Sequence, residues 1–76
     1  MKKLSEIGVG QVMIIHSFSH QIIARKLITM GVIPGKEVEI LRKVPFQATL
    51  YIRVQDSHIA IRKAEAENII ISKNEQ

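Results

Sequence analysis

Apolar residues change their spacing twice along this chain of 76 residues, and each change marks the boundary of an element. Ile23, Leu27 and Met30 recur at intervals of four and three residues, as on one face of a helix. This pattern predicts one helix over residues 20–30. Ser19 is the residue predicted to cap its N-terminus.

The same segment carries a signal for the end of the helix. Gly31 follows the last apolar position, where a left-handed glycine commonly ends a helix, and Val32 can then pack back onto Leu27. Pro34 cannot continue a helix, and Gly35 permits a tight turn. The chain is therefore predicted to pass from the helix through a corner into a strand.

After this corner the spacing of apolar residues is two, which is typical of half-buried strands. Strands are predicted over residues 36–44, 50–55 and 58–62, with a tight turn at Asp56–Ser57. Leu41 breaks the alternation and is predicted to point outward. The residues predicted to face the core are Val38, Ile40, Val44, Leu50, Ile52, Val54, Ile59 and Ile61.

The remaining segments complete the predicted sheet. The apolar run in residues 11–16 predicts a first strand that is buried on both faces. Residues 63–68 predict one helical turn, residues 69–71 a closing strand, and residues 72–76 a frayed tail. This order indicates a mainly β fold: a small, partly open SH3-like barrel with one helix after the first strand and a short helical turn before the last strand.

Length and composition narrow the class of protein. We expect a single domain over residues 1–76, with its core within about residues 4–72. The absence of cysteine excludes thiolate chemistry and disulfides. The N-terminal segment lacks the apolar run of a signal peptide, and no stretch approaches the roughly 20 apolar residues that span a bilayer. These features predict a cytoplasmic protein without direct membrane insertion.

The net charge of +4 suggests nucleic acid, anionic lipid or an acidic protein surface as a partner. The cations are spread along the chain with glutamates between them, however, which is typical of an ordinary solvated surface. Four pairs of cations are separated in this way: Lys2–Lys3, Arg25–Lys26, Arg42–Lys43 and Arg62–Lys63.

The sequence contains no recognisable catalytic or metal-binding motif. No acidic residue at helical spacing completes a ligand set with His16, His20 and His58, the only histidines. The sequence also lacks a phosphate-binding loop and a nucleophile elbow. Glu65 and Glu67 are interpreted as residues that favour the start of a helical turn or aid solubility. We expect neither an enzyme nor a resident metal or cofactor.

Three segments are distinctive as a set: LSEIGVGQ, RKLITMGVIPGKEVEIL and IAIRKAEAENIII. In this order and at these spacings they resemble the FeoA (ferrous iron transport protein A) family of small SH3-like domains, from about Leu4 to Ser72. Two turns depart from the family pattern. Residues 47–49 stand where a Gly-Asp-Pro-like turn is common, and Asp56–Ser57 where a glycine is common.

The resemblance implies a small cytosolic accessory or regulatory protein of a ferrous iron uptake system. Its implied partner is a FeoB-type permease that carries a cytosolic GTP-binding domain, so GTP hydrolysis would belong to that partner. SH3-like barrels mostly bind segments of other proteins, which makes docking onto the permease the expected mechanism. Weak self-association through an edge strand is also left open.

Five residues are predicted to contact the partner. Arg25, Lys26 and Arg62 flank inward-facing apolar positions. Side chains at such positions either pack their stems at the margin of the core and keep their charges in water, or bind an acidic partner. Phe46 lies in a predicted loop and Leu41 is predicted to point outward, so both are candidates for an exposed apolar patch.

Two other functions are left open by the sequence. A nucleic-acid-binding barrel would fit the basic charge, although Phe18, Phe46 and Tyr51 are the only aromatic residues and stacking is a main source of affinity in such proteins. The other alternative is a free regulatory domain that contacts a metal-dependent transcriptional repressor, because related SH3-like domains also end certain repressors.

Overall fold

The alternating stretches of the chain form one antiparallel sheet of six strands. The computed structural model describes residues 1–73. The strands are β1 (Lys2–Lys3), β2 (Val12–Phe18), β3 (Glu37–Val44), β4 (Thr49–Val54), β5 (Ser57–Arg62) and β6 (Ile69–Lys73). The helices are α1 (Gln21–Thr29) and α2 (Lys63–Ala66), and single 3-10 turns occupy Leu4–Glu6 and Pro45–Gln47. The order of strands in the sheet is β1-β6-β2-β3-β4-β5, so β1 and β5 are its free edges.

Nearly every element contributes to one apolar core. The inward residues of β3 and β4 are buried as the period of two predicts, whereas Val44 and Ile59 are only half-buried. The mainly β architecture, with a helix after the first long strand and a short helix before the last strand, is confirmed. The buried apolar residues are Leu4, Ile7, Ile15, Leu27, Val32, Val38, Ile40, Leu50, Ile52, Val54, Ile61, Ala66, Ile69 and Ile71.

The end of α1 is the one predicted from the sequence. Gly31 adopts a left-handed backbone with φ of +98°. Its N–H donates to the carbonyl of Ile28 at 3.0 Å, and the N–H of Val32 donates to the carbonyl of Leu27 at 2.9 Å. This pair of bonds is the Schellman arrangement, which satisfies carbonyls that a helix end leaves without partners. Within residues 1–73 no helix is both long and apolar enough to cross a bilayer.

The predicted N-cap of α1 is wrong. The N-cap is His20, which makes no side-chain capping bond, and Ser19 lies one residue earlier. The N–H of Ser19 instead donates to the Asn68 carbonyl at 2.9 Å, and its hydroxyl donates to Asn68 Oδ1 at 2.9 Å. Ser19 therefore joins the start of α1 to the start of β6, a long-range contact that local spacing does not reveal.

The first predicted strand is less buried than the sequence indicated, and the sheet contains one strand that was not predicted. In β2 only Ile15 is buried, and Val12 and His16 are exposed, because one face of this strand is open to solvent. The sheet also has a sixth strand, since Lys2 and Lys3 pair with β6. Two lysines carry no apolar alternation, so the sequence gives no signal for this edge strand.

Two predicted boundaries shift in the structure, and β3 is irregular at one position. Leu41 lies at a bulge in the register between β3 and β4 and is half-buried, so it is only partly exposed. The hairpin turn is Gln55–Asp56, one residue earlier than predicted, with Gln55 left-handed at φ of +53°. Ser72 and Lys73 belong to β6, and the rest of the predicted tail lies outside the described residues.

Replacement of Gly31 by alanine is expected to destabilise the protein by about 1–2 kcal/mol, because a side chain disfavours the left-handed backbone. The added Cβ would lie 4.0 Å from Ile59 Cδ1, an ordinary contact, so the cost comes from the backbone. Denaturant unfolding of Gly31→Ala measures it. Gly8→Ala is the control, because Gly8 is not left-handed and its Cβ would lie 3.5 Å from Gln11 Oε1. Equal stability of the two variants would contradict the prediction.

Candidate partner-binding surface

Glu65 is the centre of a junction between α1, α2 and β5. It is the one charged residue that is buried within residues 1–73, with 8% of its surface exposed. Its Oε2 lies 2.6 Å from Lys26 Nζ, and its Oε1 accepts the backbone N–H of Arg62 at 2.8 Å. The interpretation of Glu65 as a residue that favours the start of a helical turn is confirmed, because it lies in the first turn of α2 and accepts the N–H of the residue before the helix. The alternative role in solubility is wrong, because the residue is buried.

The surroundings of Glu65 change its acidity. Burial alone raises the pKa of this carboxyl, but the bonds from Lys26 and from the Arg62 N–H, with the charges of both cations, outweigh burial and lower it. The carboxylate is therefore the favoured form at neutral pH. A signal for this role exists in the sequence, since a glutamate three residues after the residue that precedes a helix can accept the backbone N–H of that residue.

A groove of about 420 Å³ lies beside this junction. Its lining includes Lys26 of α1 and Met30, which directly follows α1, together with Ala60 and Arg62 of β5. Gln47, from the 3-10 turn that follows β3, also contributes. The groove thus brings together residues that are far apart in the sequence, and two of its lining side chains are exposed cations.

Two further predicted residues are sequence neighbours of the groove lining. Phe46 precedes Gln47 and is fully exposed at the tip of its turn, with a relative exposure of 104%. Arg25 precedes Lys26 and is exposed on α1. Among residues 1–73, neither Arg25 nor Arg62 forms an ion pair with a carboxylate. The exposed charge of this surface, defined by Arg25, Lys26, Arg62 and Phe46, is therefore positive.

Leu41 is separate from this surface. It is half-buried at the β3 bulge, and it does not line the groove. Beside it, the Arg42 guanidinium lies over the Tyr51 ring at 5.4 Å from the ring centre. This basic and aromatic pair was not expected from the sequence, because the register between β3 and β4 decides it.

A second cluster of charges, which the sequence did not indicate, lies on the outer face of β3 and β4. Arg53 Nη2 lies 3.0 Å from Glu37 Oε1 and 3.0 Å from Glu39 Oε1. The hydrogen bonds to these two carboxylates raise the pKa of Arg53. Period-two spacing places all three side chains on one face, but only the strand register sets Glu39 opposite Arg53.

The histidines are not gathered into one site. His16 and His20 are exposed, and His16 Nδ1 lies 2.9 Å from the hydroxyl of its neighbour Ser17. No group of three or more histidine, aspartate or glutamate side chains within residues 1–73 is arranged to hold a metal ion. The arrangement therefore gives no ligand set from which a metal centre is inferred.

The open antiparallel sheet around a single core defines a small SH3-like domain. Its fold matches that of Stenotrophomonas maltophilia FeoA complexed with zinc, described as a procaryotic SH3 domain protein, at a TM-score of 0.77. The two are 26% identical, and the match covers 95% of this chain and 91% of that one. The FeoA domain model matches residues 2–73, so the chain belongs to the FeoA domain family, and the resemblance seen in the sequence is confirmed.

Two other relatives add to this assignment. The chain is 26% identical over 76 residues to a fusion protein of Fe(2+) transport protein A and Fe(2+) transporter FeoB from Porphyromonas gingivalis. That match covers 95% of this chain but only 9% of the fusion protein. Iron(II) transport protein A from Clostridium thermocellum is 29% identical with a TM-score of 0.81, over 95% of this chain and 45% of that one.

Replacement of Glu65 by glutamine is expected to make the free energy of unfolding less dependent on pH. Glutamine still accepts the Arg62 N–H but loses the ion pair, which costs about 0.5–1 kcal/mol at neutral pH because Lys26 is 62% exposed. The pKa of Glu65 is lowered on folding, so its contribution is complete above the ordinary value of 4.5 and is lost as pH falls through the lower folded value. Denaturant unfolding between neutral pH and strong acid measures this difference.

The control for this experiment is Glu67→Gln, which removes an exposed carboxylate two residues away. We expect its unfolding free energy to stay close to that of the unchanged protein at every pH. A difference between Glu65→Gln and the unchanged protein that persists undiminished in strong acid would contradict the assigned role of the carboxylate.

Proposed function

We propose that this protein is a small cytosolic accessory protein of ferrous iron transport that docks onto the cytosolic side of a FeoB-type transporter. The observation that carries the proposal is the Porphyromonas gingivalis relative, in which a similar domain is fused to an Fe(2+) transporter FeoB. A fusion keeps its two parts at high effective concentration, and separate chains need an interface to achieve the same proximity.

The surface of Arg25, Lys26, Arg62 and Phe46 is the proposed docking site. A fully exposed phenylalanine at a loop tip is suited to insert into an apolar pocket, since aromatic anchors dominate many interfaces. The adjacent cations would meet an acidic region of the transporter and increase the rate of association. The N–H of Ala48 donates to the Pro45 carbonyl at 3.1 Å and the Thr49 hydroxyl donates to the Gln47 carbonyl at 3.0 Å. Because these bonds already hold the Pro45–Gln47 turn, less ordering is required on binding.

A titration of the purified protein against the transporter's cytosolic GTP-binding domain and against the full transporter tests this function. Calorimetry at low and moderate salt is the measurement, and we expect saturable binding to one or both. Failure to bind either would contradict the proposal. Salt-sensitive retention of an oligonucleotide in place of the transporter would favour a nucleic-acid-binding function.

Replacement of Phe46 by serine is expected to weaken transporter binding about tenfold or more, because the loss of a buried aromatic anchor commonly costs at least about 1.4 kcal/mol. Its full exposure means that the melting temperature should not change. Ile22→Ser is the matched control, since Ile22 is 76% exposed near the start of α1 and outside the groove lining. Equal affinities of the two variants would remove Phe46 from the site.

Reversal of charge at Arg25 is expected to weaken binding by about threefold to tenfold at low salt, with the difference shrinking as salt is raised. The association rate of Arg25→Glu with the transporter, measured by surface binding kinetics at several salt concentrations, is the readout. Lys2→Glu makes the same change of charge on β1, at the opposite edge of the sheet. If association is slower for Lys2→Glu but not for Arg25→Glu, Arg25 is not part of the basic contact.

A further inference from the structure

Within residues 1–73, the edge strand β5 carries backbone groups that no other strand uses. The N–H of Lys63, directly after β5, donates to the Ala48 carbonyl before β4 at 2.8 Å, and Ser57 pairs with Val54 across a two-residue turn. In an antiparallel ladder the backbone groups of alternate residues bond to the same neighbouring strand. The N–H and carbonyl groups of the odd-numbered residues of β5 therefore bond to β4. The N–H and carbonyl groups of His58 and Ala60 therefore point to the open edge.

The open part of this edge has a defined end. The outward N–H of Arg62 is already occupied, because it donates to Glu65 Oε1 at 2.8 Å. Two outward amides are left, those of His58 and Ala60, and both residues are exposed. A short row of unpaired strand groups is a template for another strand.

The groove described above lies along this same edge. Ala60 and Arg62 line it from β5, and Lys26 lines it from α1 with Met30 from the end of that helix. An extended segment at the edge would therefore contact the side chains of α1 while it bonds to the backbone of β5. Strand addition uses this combination, with affinity from main-chain bonds and specificity from side-chain contacts.

Charge decides which kind of segment fits. The carboxylate of Glu65 is paired with Lys26, and the Glu65 side chain is only 10% exposed. The Arg62 side chain is exposed and has no carboxylate partner in residues 1–73. A second copy paired antiparallel about Ala60 would set His58 opposite a second Arg62, and its β5 would bring no carboxylate to meet that cation. Opposite charges across neighbouring strands are stabilising, so an acidic strand is favoured over a second copy.

We propose that an extended, acidic segment of the transporter adds to the free edge of β5, bonds to the backbone of His58 and Ala60, and places its carboxylates beside Lys26 and Arg62. This inference rests on the proposed function and specifies the partner segment as a β-strand. The added strand would lengthen the sheet without a change in the fold of this protein.

Amide hydrogen exchange of the full chain, alone and with the transporter's cytosolic domain or the full transporter, tests the added strand. We expect the amides of His58 and Ala60 to exchange more slowly in the complex. Ala60→Pro should weaken binding about tenfold or more, because proline removes an outward donor while leaving the bonds between β4 and β5 in place. Ala60→Thr keeps the donor and should bind within about twofold of the unchanged protein.

The outcomes separate this inference from the proposed function. Transporter binding without protection of His58 and Ala60 would overturn the added strand while docking stands, even if Ala60→Pro fails to fold. If the transporter does not bind, an acetylated peptide of alternating glutamate and valine is titrated at millimolar concentration. Protection of both amides by the peptide would support the edge site, and no protection would overturn it. If the protein forms a dimer and Ala60→Pro abolishes it, the strand that occupies the edge is a second copy of this chain and not an acidic segment.

Discussion

Burial of one shared apolar core is the constraint on which the structure depends. A domain of this size buries a modest fraction of its surface, so nearly every element must contribute to the core. Leu27 and Val32 close the end of α1 against it, while β3 and β4 supply alternate residues. Each fully buried aliphatic side chain contributes about 1.5–3 kcal/mol, which is a large part of the net stability of a small protein. The loops and edges can then vary without loss of the fold.

The Glu65 carboxylate connects that core to the proposed function. Its bonds to Lys26 and to the backbone of Arg62 tie α1 to the end of β5. The same bonds hold the two cations on either side of the groove and terminate the open part of the β5 edge. Because the carboxylate is the favoured form at neutral pH, it holds the Lys26 ammonium and the backbone N–H of Arg62 at the margin of the proposed docking surface.

The free edge of β5 requires a physical explanation, because exposed edge strands invite unwanted pairing. The edge is short, and its surroundings carry positive charge, which disfavours a second copy of the chain. An acidic strand from a transporter would use both features, and the fusion of a related domain to FeoB in Porphyromonas gingivalis fits an arrangement in which the two parts stay in contact. The fully exposed Phe46 directly precedes Gln47, which lines the groove along this edge.

The sequence by itself determined the features that depend on local spacing: α1 and its glycine end, the inward faces of β3, β4 and β5, the short α2, and the FeoA resemblance. The exposure of Phe46 followed from its place in a loop. Only the tertiary structure decided the Lys2–Lys3 strand, the bond between Ser19 and Asn68, the half-buried bulge at Leu41 and the junction at Glu65. These features join segments distant in the chain, and strand register and three-dimensional packing set them without leaving a periodic signal.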